Sequence, residues 1–193
     1  NINILHGPTA TYTIGLWVKM NETSGSRLLW TYDGSDVGEP DDIYMYWNGE
    51  HIRYATGCPA HIDTCPELSS NITDLDDNQW HYLVYVKTAS QVLIYEDGIL
   101  KNTENRDGGY FSDEYTFRLA DNMNINHWNG LINELTIWNT SLTQAEIQSY
   151  MTAPPTGSES GLIGYWKFNE GSGNILYDHS VNQNHGTING ATW

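Results

Sequence analysis

NGLINELTIWNTSLTQAEIQSYM, residues 129–151, reads as a β-strand that runs directly into one short capped helix. Within it, LINELTIW (131–138) carries the apolar and β-branched residues of a strand. After Trp138 the pattern changes. Thr143 and Glu146 have the T-x-x-E spacing of a capping box, in which hydroxyl and carboxylate each bond the other residue's backbone N–H. Leu142, Ile147 and Met151 then share one face of a helix near 142–151, which ends before Pro154-Pro155. Working outward, ATYTIGLWVK (10–19) alternates Tyr12, Ile14, Leu16 and Val18 with Thr13, Gly15, Trp17 and Lys19, the period of a strand with two differing faces. NQWHYLVYVKTASQVLIYEDG (78–98) reads as a hairpin joined by Thr88-Ala89-Ser90, with the next turn at Glu96-Asp97-Gly98. RLLWTY (27–32), DIYMYWN (42–48) and EYTFRLA (114–120) are further strands, and Asn48-Gly49 turns the chain into HIRYA. The expected class is all-β, with antiparallel sheets and a single helix.

Composition bounds what such a fold does. The chain has 193 residues, 39% of them hydrophobic, enough for one sizeable core. Eight basic against 24 acidic residues give a formal charge of −16, which argues against nucleic acid and anionic membrane as partners. No apolar run reaches the roughly 18 residues of a membrane helix, so membrane insertion is not expected. The chain begins at Asn1 without Met or a signal-like stretch and reads as a piece of a longer protein. Cys58 and Cys65 lie in one loop, CPAHIDTC, whose spacing suits a local disulfide in an extracytoplasmic protein; two free thiols are the other reading.

Taken together, Y-T-I-x-L-W-V-K, W-H-Y-L-V-Y, L-I-Y-E-D-G and G-x-I-x-E-L-x-I-W-x-x-x-L-T-x-x-E-I resemble the laminin-G-like and pentraxin-like modules of the concanavalin A-like superfamily, over roughly residues 10–151. The resemblance implies a jelly-roll sandwich of two antiparallel sheets. Residues 161–193 resemble the segment that opens some bacterial modules of this family, but some 33 residues cannot bury a core of their own. They are expected to pack back onto the same sandwich, making 1–193 one domain, with HGTINGATW beside the N-terminal strand. The pentraxin disulfide is missing, since Gly15 and Leu83 stand at the matching positions.

The chemistry is sparser. Sugar hydrolases on this superfold need two carboxylates about 5–5.5 Å apart, which on one strand face means acids at alternating positions. E-x-D-x-x-E is absent, as are a nucleophile elbow and a phosphate loop, so a noncatalytic protein is expected. The resemblance to pentraxins implies calcium held by two loops, which here correspond to Asp41 and Asp42 before IYMYW and to Asp121, Asn122 and Asn124 before the 131–138 strand. Hard oxygen donors of this kind suit calcium. The other reading is that these residues cap turns. Trp30, Tyr32, Tyr44 and Tyr46 are candidate sugar platforms, with Ile43, Met45 and Trp47 expected on the core face and Tyr44 and Tyr46 on the outer one. The expected function is a secreted or cell-surface module, joined to other domains of its parent chain, that binds glycan or polysaccharide with calcium. A protein-binding adhesion module is the alternative, with a glycoside hydrolase or lyase ranked behind it.

Overall fold

The computed structural model describes residues 10–20, 26–32, 44–48, 50–55, 68–73, 75–105, 116–120 and 128–193. In chain order the strands are β1 (Tyr12–Met20), β2 (Ser26–Tyr32), β3 (Tyr44–Trp47), β4 (Ile52–Ala55), β5 (Leu68–Ser69), β6 (Trp80–Lys87), β7 (Gln91–Glu96), β8 (Ile99–Asn105), β9 (Thr116–Leu119) and β10 (Gly130–Trp138). The helix α1 (Gln144–Thr152) follows, then β11 (Leu162–Trp166), β12 (Ile175–Leu176) and β13 (Gly186–Thr187). One sheet runs β11-β10-β1-β6-β7-β8 and a second β5-β4-β3-β2-β9, while β12 and β13 form a small ribbon. Every strand pairing is antiparallel.

The alternation read from the sequence builds the core. Tyr12, Ile14, Leu16, Val18 and Met20 of β1 are buried against Leu29, Met45, Trp47, Ile52 and Tyr54 of the facing sheet. The intervening residues of the six-stranded sheet form a second apolar layer on its outer face. There Tyr82, Val84, Val86, Tyr95, Trp138 and Tyr165 pack with Leu142 and Ile147, and with the half-buried Tyr150 and Met151, of the helical segment. The capping box forms as the spacing predicts: Thr143 N–H donates to Glu146 Oε2 at 2.7 Å, and Glu146 N–H to Thr143 Oγ1 at 3.3 Å. Gln144 and Gln148 both donate to the carbonyl of Gly98, at 2.8 and 2.9 Å, docking α1 onto the β7–β8 turn. That turn needs positive φ at both central residues, Asp97 (50°) and Gly98 (72°), which is the geometry that twists correctly between two strands.

The C-terminal segment adds β11 beside β10 and then protects its open edge. An unpaired strand edge invites further pairing, and here side chains occupy it. Asp178, 4% exposed, accepts from the Tyr165 N–H at 2.8 Å, and Ser180 Oγ and Asn182 Nδ2 donate to the Ile163 carbonyl at 3.1 and 2.9 Å. Leu162 and Tyr165 join the helix-side layer while Trp166 enters the central core. HGTINGATW does not lie beside the first strand. Both edges of β1 are already bonded, to β10 and β6, so Gly186 and Thr187 pair instead with Leu176 and Ile175.

Candidate functional site

The outer face of the five-stranded sheet is where the sequence candidates converge. Met45 and Trp47 of β3 are buried, so Tyr44 and Tyr46 hold the alternate, outward positions. In β4, Ile52 and Tyr54 are buried and Arg53 lies between them. In β9, Phe117 and Leu119 pack on the core and Arg118 lies between. In β2 both Leu28 and Leu29 are buried, and the register shifts between Arg27 and Leu29. That bulge at Leu28 places Arg27 opposite Tyr46 and Trp30 opposite Tyr44.

Two cross-strand rows result. Arg27, Tyr46, Arg53 and Ser69 form one; Arg118, Trp30, Tyr44 and Ala55 form the other, and Tyr32 pairs with Thr116 two residues further along β2. Register therefore brings Trp30 and Tyr44 together, with Tyr46 and Tyr32 one alternate position away. Arginines were missed as candidates. Their signal was a single basic residue within an otherwise uncharged strand pattern in SRLLWTY, HIRYA and TFRLA.

The expected calcium ligands Asp41, Asp42, Asp121, Asn122 and Asn124 lie outside the described residues, as do Cys58 and Cys65. The strand ends beside the two loops are described. β3 begins level with Trp30, toward the C-terminal end of β2, whereas Ala120 donates to the Leu28 carbonyl at 2.9 Å and turns with φ 57°. The chain thus enters β3 level with Trp30 and leaves β9 level with Leu28, two residues apart along β2.

Among the described residues, the cluster whose donors could hold a metal is His81, Glu96 and Asp97. His81 Nδ1 lies 3.0 Å from Asp97 Oδ2 and its Nε2 3.2 Å from Asp77 Oδ1, while Lys101 Nζ sits 2.8 Å from Glu96 Oε2. Burial lowers the His81 pKa, but hydrogen bonds to Asp77 and Asp97 and the charges of Asp97 and Glu96 outweigh it, so the net shift is upward. The Lys101 ammonium and an imidazole hydrogen-bonded through both ring nitrogens already engage these carboxylates. Asp97 also accepts the Tyr82 N–H at 2.8 Å, which makes the cluster a clasp for the β7–β8 turn.

Glu134 has φ 49° within β10, where the register with β1 shifts between Gly15 and Trp17. This bulge turns its carboxylate toward the Tyr165 hydroxyl, which donates to Oε1 at 3.4 Å. Burial and the Glu134 charge push the Tyr165 pKa up.

No curated protein matches the chain. A laminin-G family model, described as the concanavalin A-like lectin/glucanases superfamily, matches residues 2–148. Among solved structures, a Bacteroides ovatus ATCC 8483 protein described as carbohydrate-binding aligns with TM-score 0.66 at 12% identity, over 95% of this chain and 55% of its own. This chain therefore spans about half of that protein's length. Domain 4 of the extracellular arabinanase AbnA from Geobacillus stearothermophilus, in complex with arabinotriose, aligns with TM-score 0.56 at 18% identity, over 74% of this chain and 67% of that one. The heptameric SAP-like pentraxin of Limulus polyphemus gives 0.55 at 15%, over 74% and 70%. Identities this low speak to the fold alone. The family match over most of the chain, on a sandwich of two antiparallel sheets with one short helix, makes this protein a member of the concanavalin A-like lectin/glucanases superfamily.

Proposed function

We propose that this chain is a noncatalytic carbohydrate-binding module of a larger secreted or surface protein, engaging glycan on the outer face of the five-stranded sheet. The observation that carries the reading is the register of that face. Trp30 and Tyr44 are paired in the backbone register, with Tyr32 and Tyr46 at neighbouring outward positions, so four aromatic positions from two adjacent strands fall on one face of the sheet. Aromatic faces stack on the apolar faces of sugar rings, and polar groups beside them set orientation. On the outer face of the other sheet, α1 packs over Tyr82, Tyr95, Trp138 and Tyr165, and what stays open there is Trp80 with the half-buried Trp17. Superfamily relatives solved as a carbohydrate-binding protein and with arabinotriose support the same reading.

An array of plant, bacterial and animal glycans tests it. Specific binding by the wild type, lost in Tyr44→Ala at unchanged melting temperature, is the expected result. Absence of any sugar binding, with retention on intact cells or matrix, would support a protein-binding adhesion module instead.

Calcium belongs to the proposal, with Asp41, Asp42, Asp121, Asn122 and Asn124 as its ligands. A calcium concentration about 100-fold above Kd would stabilise the fold by about 2.7 kcal/mol, a rise of several degrees in Tm at this size. Replacing Asp41 and Asp121 together abolishes that rise if the loops share an ion. A rise that survives the double substitution would dismiss these ligands.

A further inference from the structure

The five-stranded sheet is depleted of acid to a degree its surroundings are not. The chain carries 24 Asp and Glu residues, yet β2, β3, β4, β5 and β9 contain none, while β7, β8 and β10 of the other sheet all carry Glu. Three of the four arginines, Arg27, Arg53 and Arg118, fall in this same sheet, and all three occupy its two outward rows. Read across the strands from β4 to β2, one row runs Arg53, Tyr46, Arg27; from β3 to β9 the other runs Tyr44, Trp30, Arg118. Arg27 and Arg53 are two strand spacings apart at the backbone, about 9–10 Å, with an aromatic position between them.

Arg118 already has a partner within the molecule. Arg53 is different. It is half-buried, its guanidinium has no hydrogen bond or ion pair among the described residues, and its Nε is shielded from solvent without an acceptor among them. The remaining N–H groups of a guanidinium that lacks a carboxylate partner are donors an incoming anion can engage. Two residues away, His51 Nδ1 is likewise buried without a partner.

We propose that the ligand of this face is an acidic polysaccharide, a chain of sugars bearing carboxylates of the uronic-acid type, which lies across the strands along the row of Arg53, Tyr46 and Arg27. The proposal rests on the carbohydrate-binding reading above and narrows it to one charge class. The fork of a guanidinium matches a carboxylate with two parallel hydrogen bonds, which a lysine cannot reproduce. Cations alternating with aromatic positions along a row fit a polymer that presents charge and apolar face in turn. A small inorganic anion would need only one of the arginines. The surrounding −16 charge opposes any polyanion at long range, but at physiological salt the Debye length is about 8 Å, short enough to leave the local arginines in control at contact.

The test is binding of the intact chain at physiological salt to oligogalacturonate, to the matching neutral oligosaccharides and to a single-stranded oligonucleotide. Variants Arg53→Gln, Arg27→Gln and Arg53→Lys are compared with Lys19→Gln on the other sheet, each checked by thermal melting. Oligogalacturonate binding weakened about 10- to 100-fold in each Gln variant, incompletely rescued by Arg53→Lys and unchanged in Lys19→Gln, is the expected result. Tight binding of neutral sugars with no effect of either Gln substitution overturns the acidic ligand and leaves the carbohydrate-binding reading intact. Equal binding of the oligonucleotide overturns it as a nonspecific polyanion surface. Binding of none of the probes, neutral sugars included, removes both readings.

Discussion

Replacing Asp178 with alanine would show whether the last 33 residues and the sandwich are one cooperative unit. The carboxylate is 4% exposed, and Oδ1 accepts from the N–H groups of Tyr165 and Ser180, both at 2.8 Å. Oδ2 accepts from the Asn184 N–H at 2.7 Å and the Ser180 hydroxyl at 2.9 Å. Asp178→Ala strands three backbone donors, two of them buried, at about 1–3 kcal/mol each before water enters the vacated space. The expected loss is about 3–5 kcal/mol, equivalent to about 10 °C in Tm at this size. Asp178→Asn keeps an oxygen for Tyr165 and Ser180 but turns an NH2 toward Asn184, so it should cost less, about 1–3 kcal/mol. Urea unfolding followed by tryptophan fluorescence and by far-UV circular dichroism reads both, because Trp166 sits in the central core and the strands supply the dichroism. One transition that moves to lower urea in both signals, with m unchanged, is the predicted outcome. A separate early transition with the main one unmoved, or a loss below about 1 kcal/mol, would refute the reasoning.

Three further perturbations follow from the structure. The His81 pKa is raised in the fold, so its contribution to stability is complete below about pH 6.5 and disappears as pH rises through the raised value; the stability gap between wild type and His81→Gln should shrink from pH 5.5 to 8.5, and a constant gap contradicts the clasp. A Cβ on Gly15 would lie 2.6 Å from the Tyr82 hydroxyl, itself pushed up to about 12 in pKa by burial, so Gly15→Ala should cost about 1–3 kcal/mol and less in a Tyr82→Phe background, as a double-mutant cycle would show. Thr143→Ala removes the N-cap of α1 and should cost about 1 kcal/mol in the same unfolding assay, with no loss at all counting against the capping box.

Period-two alternation in 10–19 and 78–98 and the Thr143–Glu146 spacing made the sheets and the helix legible, because each is a local signal with one physical meaning. The outward face of β2 was only half legible. Strict alternation in RLLWTY sets Arg27 with Leu29 and opposite Trp30; only the bulge at Leu28, which no local residue announces, brings Arg27 onto the face of Trp30. The same applies to Glu134, whose left-handed backbone lies inside an otherwise regular strand pattern. The place of 186–187 was misread because pairing depends on which strand edges are free, and the edges of β1 are filled by strands more than 60 residues away in sequence. The clasp around His81 gathers residues 77, 81, 96, 97 and 101, visible only once the hairpin register is known.

Mapping amide chemical shifts of the labelled protein during titration with its best-binding oligosaccharide tests the central claim most directly. The predicted result is saturable shifts concentrated in β2, β3 and β4, around Trp30, Tyr44, Tyr46 and Arg53, with α1 and β11 unmoved. Shifts centred on α1, β11 or the β12–β13 ribbon would place the ligand elsewhere and contradict the account.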